Sequence, residues 1–225
     1  MKKRLIATDY DGTLNRNGVI DDETRTAIDR WRADGRYFGV VTGRGVDFYD
    51  TAKEVRLPFD YLIVCNGCLI LSPEKEVLYE SLIPADTFGE IENVMAGYDD
   101  IEYFSKSDGK PRHHYYATFP SPERALEVRQ ALLPIFGDRV SIFVNGPHVN
   151  IGNIGTGKTQ GVGVILRHFS LPQDTAAVVG DDYNDLDMLL TYQGWAVDSG
   201  KPDVVRDAPH VCKSVGDLIR TLMEA

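Results

Sequence analysis

Two acidic stretches hold the residues of this chain best suited to chemistry. In TDYDGTL, Asp9 and Asp11 stand two positions apart, and Gly12 permits a sharp exit. In GDDYNDLDM, Asp181, Asp182, Asn184, Asp185 and Asp187 crowd together. Carboxylates brought to one place repel one another: two unit charges about 4 Å apart interact by roughly 4 kcal/mol at an effective dielectric near 20, so a cluster calls for a cation. A hard divalent ion with oxygen ligands, Mg²⁺ foremost, answers that demand. Thr42-Gly43-Arg44 offers a hydroxyl and free N–H groups at a helix start, a ready anion site. Lys158 adds a positive charge. Taken singly, each acidic stretch also reads as solvated turn formers and caps; with the hydroxyl and the lysine they read as a site.

GNIGTGKT, residues 152–159, also matches the phosphate-cradling pattern G-x-x-x-x-G-K-[ST], and AAVVGD imitates the acidic strand that accompanies it. Length weighs against a P-loop nucleotidase. Roughly 67 residues follow Lys158, and a nucleotide-binding α/β domain needs on the order of 100 or more. That reading would also leave DYDGTL and TGR without a role. Gly155 and Gly157 then read as a flexible junction, and Lys158 as a phosphate ligand of another fold.

The elements that must position these residues follow an alternating rhythm. RLIAT is a continuous apolar run of the kind buried on both faces of a parallel sheet. DDETRTAIDRWRADG reads as a helix with Asp21 or Asp22 as its cap, Ala27, Ile28 and Trp31 on one face, and Gly35 at its end. Strand YFGVV, a helix over VDFYDTAKEV and strand DYLIVC complete β-α-β-α-β, the pattern of a doubly wound sheet. CLILSPEKEVLYESLI reads as a hairpin turning at Ser-Pro-Glu-Lys. From Pro84 the pattern becomes α-β-β-α-β-β, suited to a small antiparallel sheet with helices on one face. Helix TQGVGVILRHF, strand TAAVVG, another helix and strand GWAV then restore the first rhythm. The expected fold is a doubly wound α/β core formed by residues 1–83 and 153–225, with a small α+β domain inserted over 84–152. In such a sheet ligands bind beyond the carboxyl ends of the strands, where Asp9, Thr42 and the Asp181 stretch fall.

Composition narrows the partners. The 225 residues carry a formal net charge of -10, which argues against nucleic acid or an anionic membrane surface and for a small molecule. The N-terminal MKKRLIATDYD has too short an apolar run for a signal peptide, and the expectation is a cytoplasmic protein, monomeric or homodimeric. Cys65 and Cys68 form a C-x-x-C that His210 and Cys212 could complete as a zinc set, but HVC lacks the usual spacing and the cysteines read as small buried thiols. SKSDGKPRHHYY gathers Lys106, Lys110, Arg112, His113 and His114, either to receive a second anionic or hydroxyl-rich group or as a solvated strand edge.

In combination and order, these residues resemble the haloacid dehalogenase superfamily of aspartate-nucleophile phosphatases. D-x-D-G-T appears at Asp9 to Thr13, the strand-end threonine at Thr42, the lysine at Lys158 and G-D-x-x-x-D at Gly180 to Asp185. Asn66-Gly67 and GDDYNDLDM extend the resemblance to the Cof-like subgroup, whose members include sucrose-phosphate and archaeal phosphoglycolate phosphatases. The resemblance implies that Asp9 attacks phosphorus to form an aspartyl-phosphate, while Asp11 protonates the leaving alkoxide and then deprotonates water. It implies Mg²⁺ held by the Asp9 carboxylate, the Asp11 main-chain carbonyl and Asp181, with Asp185 close by or acting through water. Thr42, the Gly43 N–H and Lys158 would hold the phosphoryl oxygens, Asn184 adding a donor. Asp182 and Asp187 would stay outside the site. The substrate would be a small phosphate ester, a phosphosugar or a phospho-acid such as phosphoglycolate. A sugar phosphomutase using the same nucleophile is the alternative, and a catalytically silent binding module a third reading.

Overall fold

A computed structural model describes residues 2–106 and 108–224. The chain begins with β1 (Leu5–Thr8), α1 (Asp22–Ala33), β2 (Tyr37–Val41), α2 (Phe48–Glu54) and β3 (Tyr61–Val64). All four residues of β1 are buried, as a central parallel strand requires, and it pairs in parallel with β2 on one side. The Asp21 carboxylate caps α1 by accepting the Thr24 N–H at 2.7 Å, and Thr24, Ala27, Ile28 and Trp31 form the buried face. Asp22 and Glu23 open that helix while Arg30 and Arg32 close it, each matched to the helix dipole.

The hairpin is β4 (Leu69–Leu71) and β5 (Val77–Glu80), and it adds antiparallel strands to the edge of the parallel sheet beside β3. Next come α3 (Ala85–Met95), β6 (Tyr103–Phe104), β7 (His114–Thr118), α4 (Pro122–Phe136), β8 (Val140–Asn145) and β9 (His148–Asn153). These strands make a separate four-stranded antiparallel sheet of order β6-β7-β9-β8. Its alternate residues divide cleanly. Tyr115, Ala117, Val149 and Ile151 pack with Phe88 and Ile91 of α3 and Val128 and Leu132 of α4, while His114, Tyr116, His148 and Asn150 take the opposite face.

The chain returns through α5 (Lys158–His168), β10 (Ala176–Gly180), α6 (Leu186–Tyr192) and β11 (Trp195–Val197), and ends with α7 (Pro202–Asp207), β12 (His210–Cys212) and α8 (Val215–Glu224). The main sheet has eight strands in the order β12-β11-β10-β1-β2-β3-β4-β5. Ile28, Trp31, Leu218 and Ile219 of α1 and α8 cover one face against Ile6 and Phe38. Val162, Ile165, Met188 and Leu189 of α5 and α6 cover the other against Leu5 and Ala7. The fold is thus a doubly wound α/β sheet with an inserted small sheet domain. HVC, weighed as half of a zinc set, is the edge strand β12, and burial pushes its Cys212 thiol up to about 12. Burial likewise raises Cys65 and Cys68, so all three remain protonated thiols.

Candidate active site

Asp9 follows directly on β1, and its N–H donates to Val179 O of β10 at 2.8 Å, fixing it between two strand ends. Lys158, the first residue of α5, places Nζ 2.6 Å from Asp9 Oδ1 and 2.7 Å from Asp185 Oδ1. All three side chains are buried. Asp185 spends its other oxygen on the N–H groups of Asp181 and Asp182, at 3.1 and 3.2 Å. Asp181 Oδ1 accepts the Thr13 hydroxyl at 2.6 Å. Asp9 Oδ2 makes no hydrogen bond among the described residues.

One oxygen each of Asp9, Asp181 and Asp185 lies within 4.8 Å of the others. Burial raises the Asp9 pKa well above its ordinary value; Lys158 opposes the rise, and Asp185 and Asp181 add to it. Asp181 is raised too, by burial first and by Asp185 and Asp182 after it. Burial alone would lower Lys158, but Asp185 and Asp9 overcome it and hold the ammonium charged. Three carboxyl groups share one lysine in a desolvated place, so full ionisation of all three would leave two negative charges for a cation to balance. Oxygen-only donors with that surplus fit a hard divalent cation. Gly12 belongs to the same pocket: its φ is +82°, and a Cβ there would strike Asp181 Oδ2.

Thr42 follows β2, buried, with its hydroxyl accepting the Arg44 N–H at 3.2 Å. Gly43 follows, backed by Asn66, whose N–H donates to Thr42 O at 3.1 Å. Cys65 and Asn66 both adopt left-handed backbone, with φ of +53° and +50°, to make that close turn. Gly67 completes it at φ +90°, where a Cβ would enter Gly157 O, so the approach of this turn to the start of α5 demands glycine. Asp11 does not join the carboxylate cluster. Both of its oxygens accept from Arg44, Nε and Nη2 each at 2.7 Å. The guanidinium also lies 5.3 Å from the centre of the Tyr10 ring. Arg44 and Thr13 therefore belong to the arrangement although the sequence reading gave neither a role of its own.

A cavity of about 840 Å³ opens between the main sheet and the polar face of the small sheet. Asp11, Gly43 and Arg44 line one wall, and His114, Tyr116 and Asn150 the other. Asn184 lies elsewhere, sharing with Lys158 a smaller cavity of about 320 Å³. Asp182 caps the turn that follows β10, and Asp187 accepts the Thr159 hydroxyl at 2.6 Å, tying α5 to α6. Of the basic patch, only His114 reaches the larger cavity. Arg112 pairs with Asp108 at 3.0 Å and His113 with Glu80 at 3.3 Å. The P-loop pattern is not fed by the parallel sheet: the strand entering it, β9, belongs to the antiparallel one, and Lys158 points at carboxylates.

The sequence matches the haloacid dehalogenase-like hydrolase family over residues 6–110 and 98–217, and the chain belongs to that family. It is an enzyme with the aspartate cluster typical of phosphoric monoester hydrolases. It is similar to the stress response protein YhaX of Bacillus subtilis, with 24% identity covering 95% of this chain and 89% of that protein. It is also similar to the 5-amino-6-(5-phospho-D-ribitylamino)uracil phosphatase YitU of Bacillus subtilis, with 23% identity over 84% of this chain and 83% of that one. Among solved structures, a phosphatase of the haloalkanoate enzyme superfamily from Bacteroides thetaiotaomicron superposes with a TM-score of 0.83 at 17% identity, covering 99% of this chain and 95% of the other. That likeness establishes the fold.

Proposed function

We propose that this protein is a Mg²⁺-dependent phosphatase of the Cof-like subgroup, hydrolysing a small phosphorylated metabolite, a phosphosugar or phospho-acid, through an aspartyl-phosphate. The observation that carries the reading is the Lys158 ammonium held between Asp9 and Asp185 inside a cluster of three carboxylates, with Asp9 Oδ2 free. Asp9 Oδ2 attacks phosphorus, forming an acyl-phosphate bond as the bond to the leaving oxygen breaks. Asp11, protonated once it leaves the Arg44 fork, gives that oxygen its proton and as a carboxylate then takes one from the water that cleaves the acyl-phosphate and restores Asp9. Before substrate enters, Arg44 holds the Asp11 carboxylate at the cavity wall. Thr42, the Gly43 N–H and Lys158 receive the equatorial phosphoryl oxygens, where transition-state charge is spread, and Asn184 adds a donor from the Lys158 side. Asp9, the Asp11 carbonyl, Asp181 and Asp185 would hold Mg²⁺, whose charge offsets the repulsion between nucleophile and phosphoryl group.

In this reading residues 1–83 and 153–225 are the catalytic core and residues 84–152 a cap that excludes water and reads the leaving group. The protein would act in the cytoplasm as a monomer or homodimer. No helix among the described residues is long and apolar enough to cross a membrane, in keeping with that setting. The test is hydrolysis of an aryl phosphate with and without Mg²⁺. Metal-dependent turnover lost in Asp9→Asn supports the reading; turnover equal in both proteins overturns it.

A further inference from the structure

Gly43 offers its N–H to the phosphoryl group in the reaction proposed above, yet its own backbone does not call for glycine, since its φ lies outside the left-handed region. Within the chain, what excludes a side chain there is Asn66. A Cβ on Gly43 would lie 3.1 Å from Asn66 Oδ1 and 3.2 Å from Nδ2, so the outer edge of the amide closes the space beside the Gly43 Cα. The turn that carries Asn66 also grips the backbone on either side. Thr42 N–H donates to Ile63 O at 2.8 Å, Thr42 O accepts the Asn66 N–H at 3.1 Å, and Arg44 O accepts the Cys65 N–H at 2.8 Å. In a trans peptide the carbonyl and the following N–H point opposite ways. Drawing Thr42 O toward Asn66 therefore turns the Gly43 N–H away from that turn, where it has no backbone partner among the described residues. Asn66 gains little stability from this placement. It is 4% exposed, and its Oδ1 is sealed from solvent with no hydrogen-bond partner, which opposes folding. Its backbone is left-handed at φ +50°, directly after Cys65 at +53°, a second cost for residues other than glycine.

Resting on the phosphatase reading, we propose that Asn66 is a positioning residue: its side-chain amide is the stop that fixes the Thr42–Gly43 peptide, so that the Gly43 N–H is already aimed where phosphoryl charge develops. A donor fixed in advance stabilises that charge without reorganising during the reaction. A donor free to rock still serves the ground state, where the demand on its direction is weaker, and loses most in the transition state. Because the amide acts through Gly43, its removal shows in kcat and in binding of a transition-state mimic more than in KM. The unpaired oxygen and the left-handed backbone fit this role, since strain at one residue is tolerated where it sets the geometry of a reacting group.

The experiment uses the full chain with Mg²⁺ and an aryl phosphate, comparing wild type, Asn66→Gly, Gly43→Ala and the double variant. Inhibition is measured with vanadate, which takes the five-coordinate shape of a phosphoryl group in transfer, and with inorganic phosphate, which does not. Asn66→Gly removes the amide while keeping a residue at ease in the left-handed turn and the N–H that holds Thr42 O. Its Tm should stay within about 3 °C of wild type. Its kcat should fall about tenfold with KM changed by under about twofold, and vanadate should bind about tenfold more weakly while phosphate changes by under about threefold. Gly43→Ala pushes a Cβ onto the same amide, so it should cost about tenfold in kcat alone but under about threefold when added to Asn66→Gly. Should Asn66→Gly fail to fold, Gly43→Ala carries the test through the same contrast between vanadate and phosphate. A kcat within about threefold of wild type, equal weakening of vanadate and phosphate, or effects of the two substitutions that simply multiply would each overturn the inference while the wild type still turns over. Absence of metal-dependent turnover in the wild type overturns the phosphatase reading and this one with it.

Discussion

Replacing Lys158 by methionine keeps the length of the side chain and removes its charge. The ammonium lies 2.6 Å from Asp9 and 2.7 Å from Asp185, with side-chain exposures of 3%, 8% and 1% for the three residues. Removing one member of a buried pair costs about 3–5 kcal/mol, because the partner is left charged and dry. For a chain of this size each kcal/mol moves Tm by roughly 2–4 °C, so the metal-free variant should melt on the order of 10 °C below wild type. The same change removes the one ammonium inside the Asp9, Asp181 and Asp185 cluster, so a divalent cation meets less opposing positive charge there. Mg²⁺ should then raise Tm by more in Lys158→Met than in wild type, since a ligand that binds only the folded state stabilises in proportion to its affinity. The assay is thermal unfolding near neutral pH, first in chelator and then across a Mg²⁺ titration. A metal-free Tm within about 3 °C of wild type would refute the charge balance argued above, as would a smaller Mg²⁺ shift in the variant.

Three further expectations follow from named contacts. Arg44→Leu should cost under about 1 kcal/mol of stability, its pair with Asp11 being about half exposed, yet lower kcat about tenfold on an alkyl phosphate and less on an aryl phosphate; equal losses on both would show that Arg44 does not act through Asp11. Gly12→Ala should weaken Mg²⁺ activation and destabilise by more than about 1 kcal/mol, because a Cβ there meets Asp181 at a left-handed φ; an unchanged activation midpoint would contradict it. Burial pushes the His114 imidazole down to about 4, with the neighbouring His113 adding to the shift and Asp47 opposing it. The fold binds the neutral ring, so its stability is full above the unfolded value of about 6.5 and falls as the pH drops toward 4, by at most about 3 kcal/mol. His114→Gln should flatten that acid limb in urea melts; an identical limb would remove His114 as its cause.

The residues with strong local signals were legible in the sequence. Asp9, Thr42 and Asp181 each follow an apolar run that only a buried parallel strand explains, and Asp21 and Gly35 mark the ends of α1 by capping chemistry. Lys158 was legible from its place after Gly157, but its hydrogen bonds to Asp9 and Asp185 join positions 149 and 27 residues apart, a pairing that only folding creates. The Arg44–Asp11 fork was hidden for the same reason: nothing local tells an arginine at a helix start which carboxylate it will face. The hairpin's union with the main sheet depends on β3 pairing with β4 rather than on any property of the hairpin itself. β12 is not legible as a strand because it is three residues long with two of them exposed, whereas α8 does carry a helical apolar face, with Val215, Leu218 and Ile219 buried. Asn184 lines the smaller cavity with Lys158 and not the larger one, a placement that spacing alone does not encode.

The central claim is that Asp9 carries the phosphoryl group. Acid quenching of the enzyme during turnover of an aryl phosphate, followed by digestion and mass spectrometry, reads this directly. The account predicts a phosphoryl group on the peptide containing Asp9, localised to that residue and absent from Asp9→Asn. Turnover with the phosphoryl group on another residue, or with none on the protein at any quench time while product accumulates, would contradict it.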